Sequence, residues 1–411
     1  MPEKVLRLGF AGLGEAATRV LPEIAALPYI KVTAAVDLRK NALETFRQDF
    51  RGEAYEGIEQ MCQSPNVDAV YVATPHELHA QHTLIALRNR KHVIVEKPMA
   101  LTLEECEEMN TAADHYGVKL LCGHTKSFDP PIRKMREIIN SGELGKLCMI
   151  HTWNFNDFMV RPYPDHELAM SRGVVLNQGP HQVDIVRLLG GGMVKSVRAM
   201  AGKWDATRPG EGAYTCYLEF ENGVPATIVY SGYGFFDTSE LHWWIGEGGQ
   251  PRDPDANVKA RRSYNSLRGP ERGKTIEAFK EQLRYGAREL DRGPIGHGWE
   301  LNEGRSEIRG RHQKFFGPLI ASCEKGDLRQ SQDGILIYGD EEQKEIPLAQ
   351  AMVGRQAEVT ELYEAVMNGR PMFHDGRWGE ATLEVCLAIL QSATERREVY
   401  MSHQVPVMDV N

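Results

Sequence analysis

The sequence has little of what marks secreted, membrane-spanning, metal-binding or nucleic-acid-binding proteins. Its seven cysteines are scattered and form no C-x-x-C pair, so neither a disulfide framework nor a structural zinc site is predicted. No apolar run reaches the roughly 18 residues of a membrane-spanning helix, and the chain enters an apolar strand without a cleavable leader. A net charge of −9 argues against nucleic-acid binding. We therefore expect a cytoplasmic protein without metal, membrane or nucleic-acid partners.

The 411 residues are too many for one ordinary hydrophobic core and suit two domains. Over residues 1–125, apolar runs such as "VLRLGFAGL", "KVTAAVDL" and "HVIVEKP" alternate with segments of helical periodicity. Strand–helix alternation is typical of a parallel sheet with helices on both faces. The prediction is an α/β fold whose N-terminal domain is a doubly wound parallel sheet.

The pattern changes in residues 126–411. Longer strands joined by turns follow one another, among them "KLCMIHTWNF" and "AYTCYLEFENGVPATIVYSGYG", and a helix is predicted over 377–396. This is typical of an α+β domain with a large, mostly antiparallel sheet. Residues 250–314 differ, with 15 Lys and Arg against 10 Asp and Glu. We expect a solvated insertion there, with one helix over 275–290, and a subunit contact or an anion-binding lid is the alternative.

A glycine-rich turn follows the first predicted strand. In "LGFAGLGEAATRV", Gly12, Gly14 and Ala17 form a G-x-G-x-x-A pattern between a strand and a helix, as in a Rossmann dinucleotide-binding domain. The second strand ends in Asp37, 23 residues after Gly14, where an acid would bind the ribose hydroxyls. Because Asp37 would repel a 2′-phosphate, NAD is expected rather than NADP.

Further cofactor contacts are expected where the parallel strands end, since ligands lie at that edge of an open α/β sheet. Arg39 and Lys40 could pair with the 2′-phosphate of NADP, which would weaken the preference for NAD. The predicted cofactor-binding residues are Gly12, Leu13, Gly14, Glu15, Ala16, Asp37, Leu38, Arg39, Ala73, Thr74, Pro75, His76, His79, Glu96, Lys97 and Pro98.

Two residues can supply acid–base chemistry beside the cofactor. Lys97 ends an apolar strand, where a lysine is costly to bury without a function. In "GVVLNQGPHQVDIVRLLGG", Asn177, His181 and Asp184 are spaced by four and three residues, which on a helix places them on one face. A lysine near a cationic nicotinamide has a lowered pKa, which suits a base that removes a hydroxyl proton during hydride transfer. We predict a dehydrogenase with Lys97 and His181 as catalytic residues.

Four motifs resemble those of the Gfo/Idh/MocA oxidoreductases, namely Gly12–Ala17, Thr74–His79, Glu96–Pro98 and His181–Asp184. The resemblance covers nearly the whole chain apart from 250–314. It implies a Rossmann domain followed by an open-faced sheet domain, NAD or NADP as cofactor, Lys97 and His181 at the hydride-transfer site, and a dimer or tetramer formed through the sheet. Many sugar and cyclitol members have Asp where this chain has Asn177. Because Asn cannot exchange a proton at neutral pH, the acid–base role falls to Lys97 and His181.

Within that family, "NQGPHQVDIVRLLGGG" and "SCEKGDLRQSQDGILIYG" resemble phthalate dihydrodiol (4,5-dihydroxyphthalate) dehydrogenases. The resemblance implies a small-molecule substrate, a cis-dihydrodiol whose two carboxylates need cationic partners, and arginine suits carboxylates best. The expected substrate-binding residues are Asn177, Asp184, Arg161, His166 and Arg172, with Lys126 and Arg309–Lys314 as weaker candidates.

Three other activities stay open at this point. One is a sugar or cyclitol dehydrogenase of the same family. The second is a glycosidase that oxidises its substrate transiently with bound NAD and releases no net NADH. The third is a nucleotide-sensing regulator without catalysis, which would tolerate the loss of Lys97 and His181.

Overall fold

The computed structural model describes residues 4–124, 126–161, 163–267, 272–287, 312–349 and 354–408. Within these ranges the chain forms two sheets, one in each of the predicted halves. None of the helices in the described ranges is long and apolar enough to cross a membrane.

The first sheet consists of six strands: β1 (Leu6–Ala11), β2 (Ile30–Val36), β3 (Glu53–Tyr55), β4 (Ala69–Val72), β5 (His92–Glu96) and β6 (Leu120–Gly123). Its helices are α1 (Glu15–Ala25), α2 (Lys40–Phe50), α3 (Ile58–Gln63), α4 (His79–Arg88) and α5 (Leu103–Tyr116), with a 3-10 helix at His76–Leu78. All neighbouring strands are parallel, in the order β3-β2-β1-β4-β5-β6. The predicted doubly wound domain is confirmed, and its strand order reverses between β1 and β4, where such sheets bind their ligands.

Local sequence fixes the ends of these elements. Gly12 follows β1 with φ +96°, and a β-carbon there would lie 2.6 Å from the carbonyl oxygen of Ala73, so only glycine fits this turn. Thr102 and Glu105 form a capping box at the start of α5, and Gly117 ends that helix in the left-handed conformation.

The second sheet consists of β7 (Leu147–Phe155), β8 (Val194–Gly202), β9 (Ala213–Phe220), β10 (Pro225–Ser231), β11 (Leu319–Cys323), β12 (Gly326–Gln330), β13 (Gly334–Gly339), β14 (Gln343–Pro347) and β15 (Val399–Tyr400). The remaining helices are α6 (Pro130–Ser141), α7 (Asp165–Met170), α8 (Val174–Asn177), α9 (Gly179–Gly190), α10 (Ala256–Ser266), α11 (Arg272–Leu283), α12 (Gly354–Met367) and α13 (Gly376–Glu395), with 3-10 helices at Phe158–Val160 and Thr238–His242. The strand order is β14-β13-β12-β11-β7-β10-β9-β8-β15.

This sheet is mostly antiparallel, as predicted; the pair β7–β10 is parallel. The helix expected over 377–396 is α13, and it packs against β8 and α9. On the other side of the sheet, Met149, Met200 and Tyr217 stay 39%, 42% and 45% exposed. The predicted open-faced sheet is thus present.

Helix α12 follows β14 of the second sheet in sequence but packs against the first domain. Its residues Val359 and Leu362 share a buried cluster with Leu6 and Leu21. Sequence periodicity predicts that such a helix has an apolar face but not which domain it covers, because that depends on long-range packing. The boundary at about residue 125 remains a prediction.

The described parts of residues 250–314 are mostly exposed or half-buried, as expected of a solvated segment, but a few of their residues are buried. Tyr264, Ile276 and Tyr285 are buried there. The predicted helix exists but ends earlier, at Leu283 in α11, and residues 288–311 lie outside the described ranges. A few buried apolar residues in a highly charged segment are enough to dock it, although the composition suggested exposure.

Candidate active site

The parallel strands bring most of the predicted cofactor residues to one edge of the first sheet. Gly14 has open space where a β-carbon would stand, so the turn leaves room for a diphosphate to approach the backbone. The Nδ1 atom of His76 is buried and has no hydrogen-bond partner among the described residues. An open glycine turn at a helix start, with a nearby unpaired polar atom, fits NAD.

Asp37 and Arg39 form one hydrogen-bonded unit beside this turn. Asp37 Oδ2 accepts from the backbone N–H of Leu13 at 2.8 Å, and Oδ1 accepts from the backbone N–H of Arg39 at 2.8 Å. The Arg39 side chain donates to Asp37 Oδ1 at 3.1 Å and to the carbonyl oxygen of Tyr285 at 3.1 Å. Because Arg39 is already paired with Asp37, it is poorly placed to neutralise a 2′-phosphate, whereas Lys40 is exposed.

His79 joins two parts of the site. Its two ring nitrogens each lie 2.8 Å from a carbonyl oxygen, one of Pro98 and one of Thr74. The side chain is 1% exposed. His79 therefore holds the segment after β4 against the segment after β5, and this contact positions both for the cofactor.

Lys97 lies half-buried at the end of β5. Its Nζ donates to the carbonyl oxygen of Asn177 at 2.5 Å. Burial lowers the pKa of Lys97 to about 8, and the nearby Glu96 carboxylate opposes this effect. An amine with that pKa is in part unprotonated near neutral pH, so it can accept a proton.

A buried network on the first domain supports Lys97, and the sequence did not reveal it. Arg355 Nη1, on α12, lies 2.5 Å from Glu96 Oε1, and the hydroxyl of Tyr71 donates to the same oxygen at 2.9 Å. Glu358 lies 3.3 Å from Arg355, and burial raises the pKa of Glu358. The network fixes Glu96, and with it the backbone that carries Lys97.

His181 lies four residues after Asn177, whose carbonyl oxygen accepts from Lys97 Nζ. Burial lowers the pKa of His181 well below its usual value, and the charge of Lys97 lowers it further. The imidazole is therefore neutral, and its Nδ1 is buried without a partner among the described residues. Its ring meets Phe316 edge to face, with centroids 5.1 Å apart.

His124 is a further candidate that sequence reasoning missed. It follows β6 at the same sheet edge, is 2% exposed, and neither ring nitrogen has a partner among the described residues. Burial lowers its pKa to about 4, and the charge of Lys97 contributes to this shift. The position of "GHT" directly after an apolar strand was the signal available in the sequence.

His181 and Asp184 both lie on α9, three residues apart as predicted, whereas Asn177 ends α8 and is separated from α9 by Gln178. Asn177 is buried, and its Oδ1 accepts from Gln178 Nε2 at 2.7 Å. Asp184 is fully buried, and its Oδ1 accepts from Trp378 Nε1 at 2.7 Å. The structure brings Asn177 to Lys97 but directs this oxygen of Asp184 to α13.

Two of the predicted cations, Lys126 and Arg161, lie close to Glu247. Lys126 Nζ lies 5.3 Å from the ring centre of Phe316 and donates to the carbonyl oxygen of Glu247 at 3.2 Å. Arg161 pairs with Asp157 at 2.8 Å and stands 3.7 Å from Glu247 Oε1. Glu247 therefore links the two cations.

The other predicted cations are less central. His166 is exposed and lies 3.0 Å from Glu77. Arg172 is exposed, with φ +45°. Burial lowers the pKa of Lys314, and the charge of Lys126 lowers it further, so these two cations are neighbours. Arg309 to Arg311 lie outside the described residues.

Comparison with known families gives two matches. Residues 6–124 match the model described as "Oxidoreductase family, NAD-binding Rossmann fold", and residues 132–245 match the "GFO/IDH/MocA C-terminal domain". Together they cover more than half of the chain, and the four motifs above lie within them.

Similar proteins and structures agree with these matches. The chain is 37% identical over 391 residues to the 1-carboxy-3-chloro-3,4-dihydroxycyclohexa-1,5-diene dehydrogenase of Comamonas testosteroni, covering 94% of each chain. It is 33% identical to inositol 2-dehydrogenase 2 of Saccharopolyspora erythraea over 49% of this chain and 59% of that protein. A crystal structure of a dehydrogenase-type protein from Bordetella bronchiseptica superposes with a TM-score of 0.87 at 34% identity, covering 97% of this chain and all of that one.

Proposed function

This chain belongs to the GFO/IDH/MocA family of NAD-binding oxidoreductases, and on that premise we propose that it oxidises a carboxylated cyclohexadiene cis-dihydrodiol with NAD. The product is the corresponding aromatic dihydroxy acid. The relative from Comamonas testosteroni is named for a substrate of this kind, a carboxylated dihydroxycyclohexadiene. The dihydrodiol of phthalate, with a second carboxylate, is the form implied by the sequence motifs.

The observation that carries this proposal is the row formed by His181, Phe316 and Lys126 next to Lys97. The ring of Phe316 meets His181 edge to face, with centroids 5.1 Å apart, and the Lys126 ammonium lies 5.3 Å from the centre of the same ring. A carboxylated ring held beside His181 can extend its carboxylate to Lys126. A neutral sugar gains nothing from that cation.

The chain supplies the proton chemistry of this reaction. Bound NAD would supply the acceptor for the hydride that leaves the carbinol carbon. The hydroxyl proton passes to the Nζ of Lys97, and the C–O bond becomes a carbonyl. His181, a neutral imidazole, orients the hydroxyl through a hydrogen bond. The ketone then tautomerises: the neighbouring carbinol carbon loses its ring proton and the ketone oxygen takes up a proton, which gives the aromatic diol, so we expect oxidation to run nearly to completion.

Lys126 provides the test of substrate class. In Lys126→Met, we expect the KM for a carboxylated dihydrodiol to rise at least tenfold, on the scale of a lost hydrogen bond to a charged group, about 1.5–3 kcal/mol. The KM for a dihydrodiol without a carboxylate should not change. Lys344→Met is the matched control, because Lys344 is an ordinary surface lysine paired with Glu143. An equal change in KM for both substrates would contradict the carboxylate contact.

Asn177 argues against the alternative function, a cyclitol dehydrogenase. It stands where many cyclitol and sugar members carry an aspartate, and its side-chain oxygen already accepts from Gln178. If the protein oxidised myo-inositol with release of NADH and did not oxidise the dihydrodiol, that result would favour the cyclitol hypothesis. Turnover of a glycoside without net NADH would favour the glycosidase reading.

The proposal extends to assembly and location. The open face of the second sheet, where Met149, Met200 and Tyr217 remain about half-exposed, supports a dimer or tetramer formed through that face. The seven cysteines are all free, which supports a reducing cytoplasm. Light scattering of the protein and of Tyr217→Lys tests the assembly, and a monomeric wild type would contradict it.

A further inference from the structure

Part of the insertion lies on the dinucleotide-binding turn. The hydroxyl of Thr18, on α1, donates to the carbonyl oxygen of Leu283 at 3.3 Å. On α2, Asn41 Nδ2 donates to the carbonyl oxygen of Gly286 at 3.3 Å. The end of α11 and the residues after it therefore cross the first turns of α1 and α2. In a Rossmann domain these turns adjoin the diphosphate and the adenosine ribose.

Tyr285 fixes this segment to the first domain. Its side chain is 2% exposed, and its hydroxyl donates to Asp49 Oδ2 at 2.5 Å. It belongs to the same buried cluster as Ala42 and Leu43 of α2. A β-carbon on Gly286, the next residue, would lie 2.8 Å from the α-carbon of Ala42. The contact is closely packed and hydrogen-bonded, so the segment is part of the first domain's surface.

Lys280 brings a buried positive charge to the same place. It is 6% exposed and forms an ion pair with Glu167. Lys280 lies one turn before Leu283 on α11, and the end of that helix contacts Thr18 of α1. The partner of Lys280, Glu167, is on α7, which packs against the 3-10 helix after β4. Lys280 therefore lies between the start of α1 and the end of β4. A buried ammonium has three N–H donors, and Glu167 does not use all of them.

We propose that residues 280–287 form one wall of the NAD site, in which Lys280 donates to the diphosphate and Tyr285 holds the wall beside the adenosine. The family models match residues 6–124 and 132–245, so residues 280–287 lie outside both matches. The inference depends on NAD binding and not on the proposed substrate. Its test therefore uses ADP-ribose and NADH, with no substrate present.

Calorimetric titration with ADP-ribose tests the role of Lys280. In Lys280→Met, the Kd for ADP-ribose should rise at least tenfold, because one charge-assisted hydrogen bond to the diphosphate is lost. Lys274→Met is the matched control on the same helix, since Lys274 is exposed, and it should bind as the wild type does. Unchanged binding by a folded Lys280→Met would overturn the proposal.

A change at Glu167 separates a cofactor role from a purely structural ion pair. Glu167→Gln frees Lys280 for the diphosphate, so ADP-ribose should bind at least as tightly as in the wild type. If the ion pair matters only for structure, Glu167→Gln and Lys280→Met would weaken binding alike, and that result would overturn the diphosphate role. Thermal melting of each variant identifies any loss of folding, and Lys280→Arg, which keeps the charge, should recover most of the affinity.

The role of Tyr285 is tested by the rate of cofactor release. Tyr285→Phe removes the hydrogen bond to Asp49, so we expect NADH to dissociate about threefold faster in stopped-flow fluorescence, on the scale of a net hydrogen bond. Tyr264→Phe is the control, because Tyr264 is a buried tyrosine of α10 whose hydroxyl contacts Thr207 Oγ1 at 3.3 Å and makes no contact with Asp49. Equal release rates in Tyr285→Phe and the wild type would contradict this part of the proposal.

Discussion

Replacing Lys97 probes the proton acceptor directly. With a pKa of about 8, about a quarter of the Lys97 amine is unprotonated at pH 7.5, against roughly one part in a thousand for an ordinary lysine. The logarithm of kcat/KM should therefore rise with pH and level off above about pH 8, since the base acts only without its proton. The positive charge of bound NAD lowers this apparent pKa further.

Lys97→Met should lower kcat by roughly 10² or more, the scale of a lost general base, and should leave NADH binding near the wild-type value. The rise in activity with pH should disappear with it. Lys97→Arg is the matched variant, because it keeps the charge and the donor but cannot give up its proton in this range. An arginine variant with near-normal turnover would refute proton transfer and leave only an electrostatic role for Lys97.

Three further outcomes follow from the same geometry. NAD should bind at least tenfold better than NADP, and Asp37→Ala should reduce that ratio in cofactor titrations. Equal affinities in the wild type would mean that Lys40, and not Asp37, determines which cofactor is bound. Arg161→Ala should raise the KM for a phthalate dihydrodiol more than for a monocarboxylated one, and identical changes would place the second carboxylate elsewhere. Burial raises the pKa of Glu358 in the folded state, so the unfolded chain releases this proton at a lower pH than the folded chain does. The free energy of unfolding of the wild type should therefore fall between pH 5 and pH 8, by about 1.4 kcal/mol for each pKa unit of the shift. In Glu358→Gln this fall should be smaller. Urea unfolding at both pH values measures that effect, and parallel losses in the two proteins would contradict it.

The sequence predicted the parts of the site that local rules determine. Gly12 is needed because a side chain would meet the backbone of Ala73, and such a turn is visible in the glycine spacing alone. Lys97 and the segment after β4 could be assigned to one edge because parallel strands end on the same side of the sheet. These residues needed only strand order and spacing.

Contacts between residues that are far apart in sequence could not be predicted from strand order and spacing. Arg355 reaches Glu96 across 259 positions of sequence, and no periodicity in either segment indicates the pairing. Asp184 lies three residues after His181 on α9, yet a hydrogen bond from Trp378, 194 positions away, directs one of its carboxylate oxygens to α13. The charge of residues 250–314 suggested solvent exposure, although Tyr285 docks the segment on the first domain.

The product formed from a carboxylated cis-dihydrodiol tests the central claim most directly. Wild-type protein, NAD and the dihydrodiol are followed at the NADH absorbance, and the product is identified by mass spectrometry. We predict one NADH for each dihydrodiol consumed, a dihydroxy aromatic acid as the product, and a reaction that proceeds nearly to completion. Absence of NADH, or an equilibrium that stops well short of completion with a non-aromatic ketone as the product, would contradict the account.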